Sequence, residues 1–224
     1  MGHIKVRIKA IKDFLSRKIS FWVMIQLMLP NYLRTFTEFE RSIVIYNQYH
    51  VELIKEGAIV VDAGANIGVF SIFAAQKHPD AVIYAFEPTP STFQKLQENT
   101  AKYPNIKCFN CALGDQNGMA NIIDLGDLNN GRNYIGDGGI PVEMKTIDSL
   151  NIPMDFLKMD TEGYEANILR GAVETIRKYK PVISMSAYHK PEDKVELPIL
   201  VNSITPYNCE LRNDCEENFI CQPK

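Results

Sequence analysis

From about residue 57 the chain alternates between short runs of β-branched and aromatic residues and longer stretches with helical spacing. AIVVDA, AVIYAF, IKCFNCAL, DFLKMD and PVISMSAY predict five strands. Between them, GVFSIFAAQKH is apolar almost all round and predicts a helix lying beneath other elements. PSTFQKLQENTAKY is amphipathic, with Pro90 suited to a first helical turn. YEANILRGAVETIRKYK predicts one long helix carrying Ile168, Leu169, Ala172, Val173 and Ile176 on one side. Repeated strand–helix–strand units imply an α/β fold with a mostly parallel sheet and helices on both faces, because parallel neighbours need crossovers.

Two places interrupt this rhythm. GDQNGMANIIDLGDLNNGRNYIGDGGIPVEMKTIDSL is rich in Gly, Asn and Asp and predicts an extra hairpin and a long loop. The tail PYNCELRNDCEENFICQ has two alternating runs around a polar turn and predicts a C-terminal antiparallel hairpin.

The 224 residues suit one compact domain, expected over 51–224. Residues 1–50 carry eight Lys/Arg against three Asp/Glu, within a chain of net charge −3. They predict a basic helical extension that packs on or caps the core. Its apolar stretch FWVMIQLMLP is about half the roughly 20 residues that cross a bilayer, and no small-residue cleavage site follows. Peripheral contact with an anionic membrane is the alternative use of that segment. The overall charge argues against a protein that neutralises many phosphates, so no nucleic-acid partner is expected. Five cysteines without a secretion signal fit a reducing cytoplasm better than a disulfide framework. The C-x-x-C pair Cys108 and Cys111 lies in a predicted strand, where residues three apart face opposite ways and do not converge on a metal.

In open α/β sheets, ligands occupy the crevice beyond the carboxyl ends of the strands. Asp62 ends the first strand, and Gly64 and Gly68 allow a tight turn and close backbone approach. A nicotinamide or flavin loop wants G-x-G-x-x-G, but GANIGV places Asn66 at the second glycine position. Glu87 ends the second strand, where a carboxylate accepts from both hydroxyls of a ribose. An acid at the end of the first strand, opening D-x-G-x-x-x-G, suits S-adenosylmethionine better than a dinucleotide. Its positive charges favour acidic surroundings, and it has no pyrophosphate to cradle.

VVDAGANIGVFS, AFEPTPSTFQKLQEN, ALGDQNG, KTIDSL, DFLKMDTEGYEANILRGA and PVISMSAYHKPED, in this order, resemble the FkbM family of S-adenosylmethionine-dependent methyltransferases over roughly residues 50–212. The resemblance implies a Rossmann-like class I methyltransferase fold: a seven-stranded sheet with an antiparallel last strand. It implies O-methylation of a hydroxyl on a sugar, glycolipid or other small acceptor, and it places Ala112 and Leu113 against adenine. Many relatives carry a Glu near the end of the fifth strand, whereas this chain reads ISMSAYHK. A nicotinamide-dependent oxidoreductase and a non-catalytic cofactor-binding protein stay open as alternatives. Amino-methylation of nucleic acid is disfavoured by DTEG where such enzymes carry an Asn/Asp-Pro-Pro-aromatic turn.

Methyl transfer needs donor and acceptor held in line and a proton removed from the acceptor. His189, following the fifth strand, is the expected general base, with an ordinary pKa near neutrality and Asp160 holding its tautomer. Asp160 is expected to orient the cofactor's methionine end, to act as base, or to bind a divalent ion if a second acid is near. Lys158 is expected to pair with Asp160 or with an acid on the neighbouring strand. Glu162, Tyr188, Arg132 and Asn133 are expected at the acceptor, and Glu165 only to stabilise a helix start. No set of metal ligands is assigned from the sequence.

Overall fold

The computed structural model describes residues 43, 44, 46–125, 133–213 and 216–224. The chain divides into two compact units, Met1–Gln48 and Tyr49–Lys224. The expected basic helix of the first unit lies outside the described residues, as does Arg132. Among the described residues no helix is long and apolar enough to cross a membrane.

The second unit opens with a 3₁₀ turn, Val51–Leu53, followed by β1 (Ile59–Ala63), α1 (Val69–Lys77), β2 (Val82–Phe86), α2 (Pro90–Thr100) and β3 (Ile106–Phe109). An insertion follows, made of β4 (Ala112–Leu113), β5 (Gly118–Ile123), β6 (Tyr134–Ile135), β7 (Ile140–Lys145) and α3 (Ile147–Leu150). The main sheet resumes with β8 (Phe156–Met159), α4 (Glu165–Arg170), α5 (Val173–Tyr179), β9 (Val182–Ser186), α6 (Asp193–Ile204), β10 (Tyr207–Asn213) and β11 (Glu217–Pro223). Its seven strands run in the order β10-β11-β9-β8-β1-β2-β3. From β9 to β3 every pairing is parallel, and β11 is antiparallel to both β9 and β10. This is the expected Rossmann-like architecture with an antiparallel last strand.

The central strands are apolar on both faces because helices cover both. Val60, Val61, Leu157, Met159, Ile183 and Met185 are completely buried, and each such side chain contributes roughly 1.5–3 kcal/mol. Strand order reverses between β1 and β8, so a crevice is expected at their carboxyl ends.

Three readings of the sequence are corrected and one is extended. The long helix is two helices, because Gly171 lies against the backbone of Gly114, where a Cβ would approach its oxygen to 1.9 Å. The Gly171 carbonyl accepts from Asp148 N–H (2.9 Å), and the Asp148 carboxylate accepts from Glu174 and Thr175 N–H (3.1 and 2.8 Å), starting α5 afresh. The third strand stops at Phe109, and Ala112–Leu113 joins a second sheet of order β4-β7-β5-β6. The expected extra hairpin is β5 with β7, the centre of that sheet. Finally, Cys209 and Cys221 form a disulfide, contrary to the expectation of reduced cysteines. They are opposed in the β10–β11 register. Cys108 and Cys111 are free.

Candidate active site

The glycine loop leaves β1 and is held from below by a buried ion pair. Asp62 and Lys158 are opposed in the β1–β8 register, with Lys158 Nζ 2.9 Å from Asp62 Oδ1. Asp62 Oδ2 accepts from Ser71 Oγ at 2.6 Å. Lys158 also donates to the Gly64 carbonyl (2.8 Å), and its ammonium lies over the rings of Tyr49 and Phe70. Of the two pairings open to Lys158, the structure selects the acid on the neighbouring strand. Asp62 therefore faces protein partners, and reaches the crevice through the lysine that fixes the Gly64 carbonyl.

Gly64 has φ +71, and a Cβ there would stand 2.0 Å from the Asp160 carbonyl oxygen. No side chain fits that approach. Gly64 N–H and Ala65 N–H both donate to the Phe86 carbonyl (3.1 and 2.9 Å), locking the turn to the end of β2. Asn66 takes a left-handed φ of 49, a conformation Asn adopts more readily than most residues. Its N–H donates to Glu87 Oε2 (3.0 Å), and its side-chain Oδ1 is buried without a hydrogen bond. Glu87 Oε1 accepts from Thr89 N–H at 2.9 Å. Each Glu87 oxygen thus keeps lone-pair capacity for a further donor. Burial raises the Glu87 carboxyl, against the lowering effect of the Thr89 and Asn66 hydrogen bonds and the Lys158 charge.

Asn133 stands beside this acid: its Nδ2 donates to Thr89 Oγ1 (3.2 Å), and its Oδ1 accepts from Leu125 N–H (2.9 Å). The side chains of Ala112 and Leu113 are packed into the two apolar cores, so a contact of this segment with a ligand would rest on its backbone. Asn110 also meets the Glu87 turn: its Nδ2 donates to the carbonyls of Glu87 and Pro88, both at 2.9 Å.

The other half of the crevice centres on Asp160, whose N–H donates to the Ala63 carbonyl at 3.2 Å. Its carboxylate accepts from Tyr49 (2.6 Å), Ser186 (2.9 Å) and Tyr188 (3.2 Å) hydroxyls. Burial pushes the Asp160 carboxyl up, but the Lys158 and His189 charges and the Tyr49 and Ser186 hydrogen bonds outweigh it and hold the group below its ordinary value. Burial and the same carboxylate push the Tyr49 and Tyr188 hydroxyls upward, keeping both as donors.

His189 sits among three acids. Its Nε2 lies 3.5 Å from Asp160 and 3.6 Å from Glu162, and its Nδ1 lies 3.2 Å from Glu165. Burial disfavours the charged ring, yet the close approach of Glu165 to Nδ1 and the charges of Glu165, Asp160 and Glu162 raise its pKa to about 9. The expected neutral histidine is therefore an imidazolium at pH 7. Its cause is the local excess of carboxylate.

Glu165 does not point out at a helix end. It is fully buried, and its Oε1 accepts from Thr161 N–H (2.8 Å) and Oγ–H (3.1 Å). Glu162 and Gly163 both have positive φ, 55 and 89, so the chain reverses sharply after Asp160. Lys190 donates to the Gly163 carbonyl and fastens this turn to the segment carrying His189. The structure thus brings together Asp160, Glu162, Tyr188 and His189, and adds Tyr49, Glu165 and Ser186. Asp160, Glu165 and His189 each offer one ligand atom, all within 4.8 Å of one another, the arrangement of a candidate metal site.

A family model for the methyltransferase FkbM domain matches residues 62–208. "Methyltransferase 1" of Beauveria bassiana is 29% identical over 133 residues, covering 58% of this chain and 52% of that protein. "2-O-methyltransferase NoeI" of Sinorhizobium fredii is 27% identical over 178 residues, covering 67% and 73%. The crystal structure of a methyltransferase FkbM from Methylobacillus flagellatus KT aligns with a TM-score of 0.60 at 20% identity, covering 96% of this chain and 58% of that one. The chain spans about half the length of the first of these proteins.

Proposed function

The chain belongs to the FkbM methyltransferase family, and from that premise we propose that it moves the methyl group of S-adenosylmethionine onto a hydroxyl oxygen of a sugar or other small acceptor. The observation that carries this reading is the juxtaposition at one sheet crevice of Gly64 and Glu87 on one side and the Asp160 cluster on the other, joined where Gly64 meets the Asp160 carbonyl. Glu87 would take the ribose hydroxyls, with the backbone of residues 64–68 beneath the nucleoside. Asp160, ionised and held by three hydroxyls, would face the donor's positive methionine end. A relative whose printed name is a 2-O-methyltransferase supports oxygen as the methyl acceptor.

In the proposed reaction the acceptor oxygen attacks the methyl carbon. The carbon–sulfur bond breaks toward sulfur, leaving S-adenosylhomocysteine, and the hydroxyl proton passes to a base. His189, being protonated at neutral pH, is assigned to positioning. Glu162, the most exposed carboxylate of the cluster at 27%, is assigned as the proton acceptor. Tyr188 and Asn133 flank the acceptor.

The test is a titration followed by a screen. S-Adenosylhomocysteine should raise the melting temperature while NAD(H) does not. A panel of hydroxylated sugars with labelled S-adenosylmethionine should then yield a methyl ether, identified by mass spectrometry. Stabilisation by NAD(H) alone would overturn the donor assignment. Methyl appearing only on nitrogen or carboxylate would overturn the acceptor assignment.

A further inference from the structure

We propose that Asp160, Glu165 and His189 form a binding site for a first-row divalent cation of the manganese-to-zinc series. Three observations meet at these residues. The first is convergence: one ligand atom from each lies within 4.8 Å of the other two, close enough for a single ion to draw them together.

The second is unmet bonding capacity. The His189 side chain is only 7% exposed, and neither ring nitrogen makes a hydrogen bond. Its Nδ1 is turned toward Glu165 and its Nε2 toward Asp160 and Glu162. Glu165 is fully buried, and its Oε2 has no hydrogen-bond partner. Buried polar atoms are nearly always satisfied. One ion coordinated by the two carboxylates and by a single ring nitrogen of His189, which releases its proton to solvent on binding, would satisfy these atoms.

The third is charge and support. Asp160, Glu162 and Glu165 surround one imidazole, while the nearby Lys158 is ion-paired with Asp62. The surplus is negative and largely withdrawn from water, so a dication lowers the cost of keeping it there. The two carboxylates are also oriented by neighbours, as ligating groups are in metal sites. Tyr49, Ser186 and Tyr188 hold Asp160, and the Thr161 N–H and hydroxyl hold Glu165.

Two carboxylates and one imidazole form a mixed donor set suited to manganese, iron or zinc rather than to a soft ion. Three protein ligands leave coordination positions open, as catalytic metal sites require. If the methyl-transfer reading holds, those positions face the acceptor. An ion there would lower the pKa of an acceptor hydroxyl, favouring acceptors with two adjacent oxygens able to chelate. That use rests on the proposed function; the binding itself does not.

The experiment is a titration of the full chain, stripped with chelator, with Mn²⁺ alone, following the loss of the free-ion EPR signal. About one equivalent should bind. Glu165→Gln and His189→Asn should each weaken binding by more than about 10-fold. Should either variant fail to fold, the wild-type chain still decides the matter: Mn²⁺ should broaden the imidazole NMR signals of one of the four histidines. Absence of Mn²⁺ and Zn²⁺ uptake at about 1 mM, wild-type affinity in both folded variants, or broadening of a histidine other than His189 would each overturn the site. S-Adenosylhomocysteine titrated into the same stripped samples separates the two proposals. Its binding without metal uptake removes the ion and leaves the methyl donor, and metal uptake without it does the reverse.

Discussion

The two sides of the crevice are built differently. On the Gly64–Glu87 side, the loop and the acid come from a span of fewer than thirty residues, and their polar groups are answered mostly by nearby backbone: Phe86 O receives Gly64 and Ala65, and Glu87 receives Asn66 and Thr89. On the Asp160 side, the groups come from Tyr49, the turn after β8 and the segment ending β9, and they answer one another through side chains. The first side is tied together by these short-range bonds and keeps the second lone pairs of Glu87 for a ligand. The second carries surplus negative charge and unsatisfied atoms. A pocket that recognises one fixed ligand tolerates such ties, whereas a place where charge must move needs groups held apart in energy.

This contrast yields four expectations, beginning with the largest. Lys158→Ala should destabilise the protein by about 3–5 kcal/mol in urea denaturation, because it leaves Asp62 charged and buried without its partner. The double variant Asp62→Ala/Lys158→Ala should lose clearly less than the sum of the two single losses. Strict additivity would show that the pair does not anchor the loop.

The second concerns His189 in metal-stripped protein. Its folded pKa of about 9 lies above the ordinary 6.5. The stabilisation from its ion pairs should be fully present below pH 6.5 and lost as pH rises through about 9. The raised value corresponds to about 3 kcal/mol across that window at 1.36 kcal/mol per pH unit. Urea melts at pH 6 and pH 9.5 should show this loss in the wild type and a smaller one in His189→Gln. Identical pH dependence in the two proteins would contradict the imidazolium.

Third, Glu87→Gln should weaken S-adenosylhomocysteine binding by about 10-fold, the scale of charge-assisted hydrogen bonds worth 1.5–3 kcal/mol. Turnover at saturating donor should change far less. An unaltered dissociation constant in calorimetry would remove Glu87 from the donor side. Fourth and smallest, Asn133→Ala should cost less than about 1 kcal/mol of stability, as for a partly exposed neutral hydrogen bond. Its effect should fall on acceptor KM. A change confined to donor affinity would move Asn133 to the other side of the crevice.

The Gly64 side was legible because it is local. D-x-G-x-x-x-G with an acid 23 residues past Gly64 dictates a turn whose φ angles and backbone hydrogen bonds follow from the residues themselves. The parallel sheet was equally legible, since apolar strands separated by helix-length stretches have few other ways to bury both faces. The Asp160 side was legible only in part. Asp160 and His189 stand at strand ends, but nothing in the spacing announces that Tyr49, 111 residues before Asp160, donates to it. Glu165 had the ordinary position of an acid in a first helical turn, and only the sharp turn at Glu162–Gly163 swings it inward.

The disulfide follows from strand register, which a count of cysteines does not contain. The antiparallel register of β10 and β11 places Cys209 opposite Cys221. The break at Gly171 was hidden for a different reason: helical periodicity continues through it, and the obstacle is the backbone of Gly114, supplied by a distant segment.

Local order along the chain thus dictated the sheet, the glycine turn and the acid beside it, because backbone geometry and apolar periodicity act over a few residues. The packed fold dictated the partner of Asp62, the inward turn of Glu165 and the charge on His189. Those depend on how many carboxylates and how little water surround a group, and residues far apart in the chain set both.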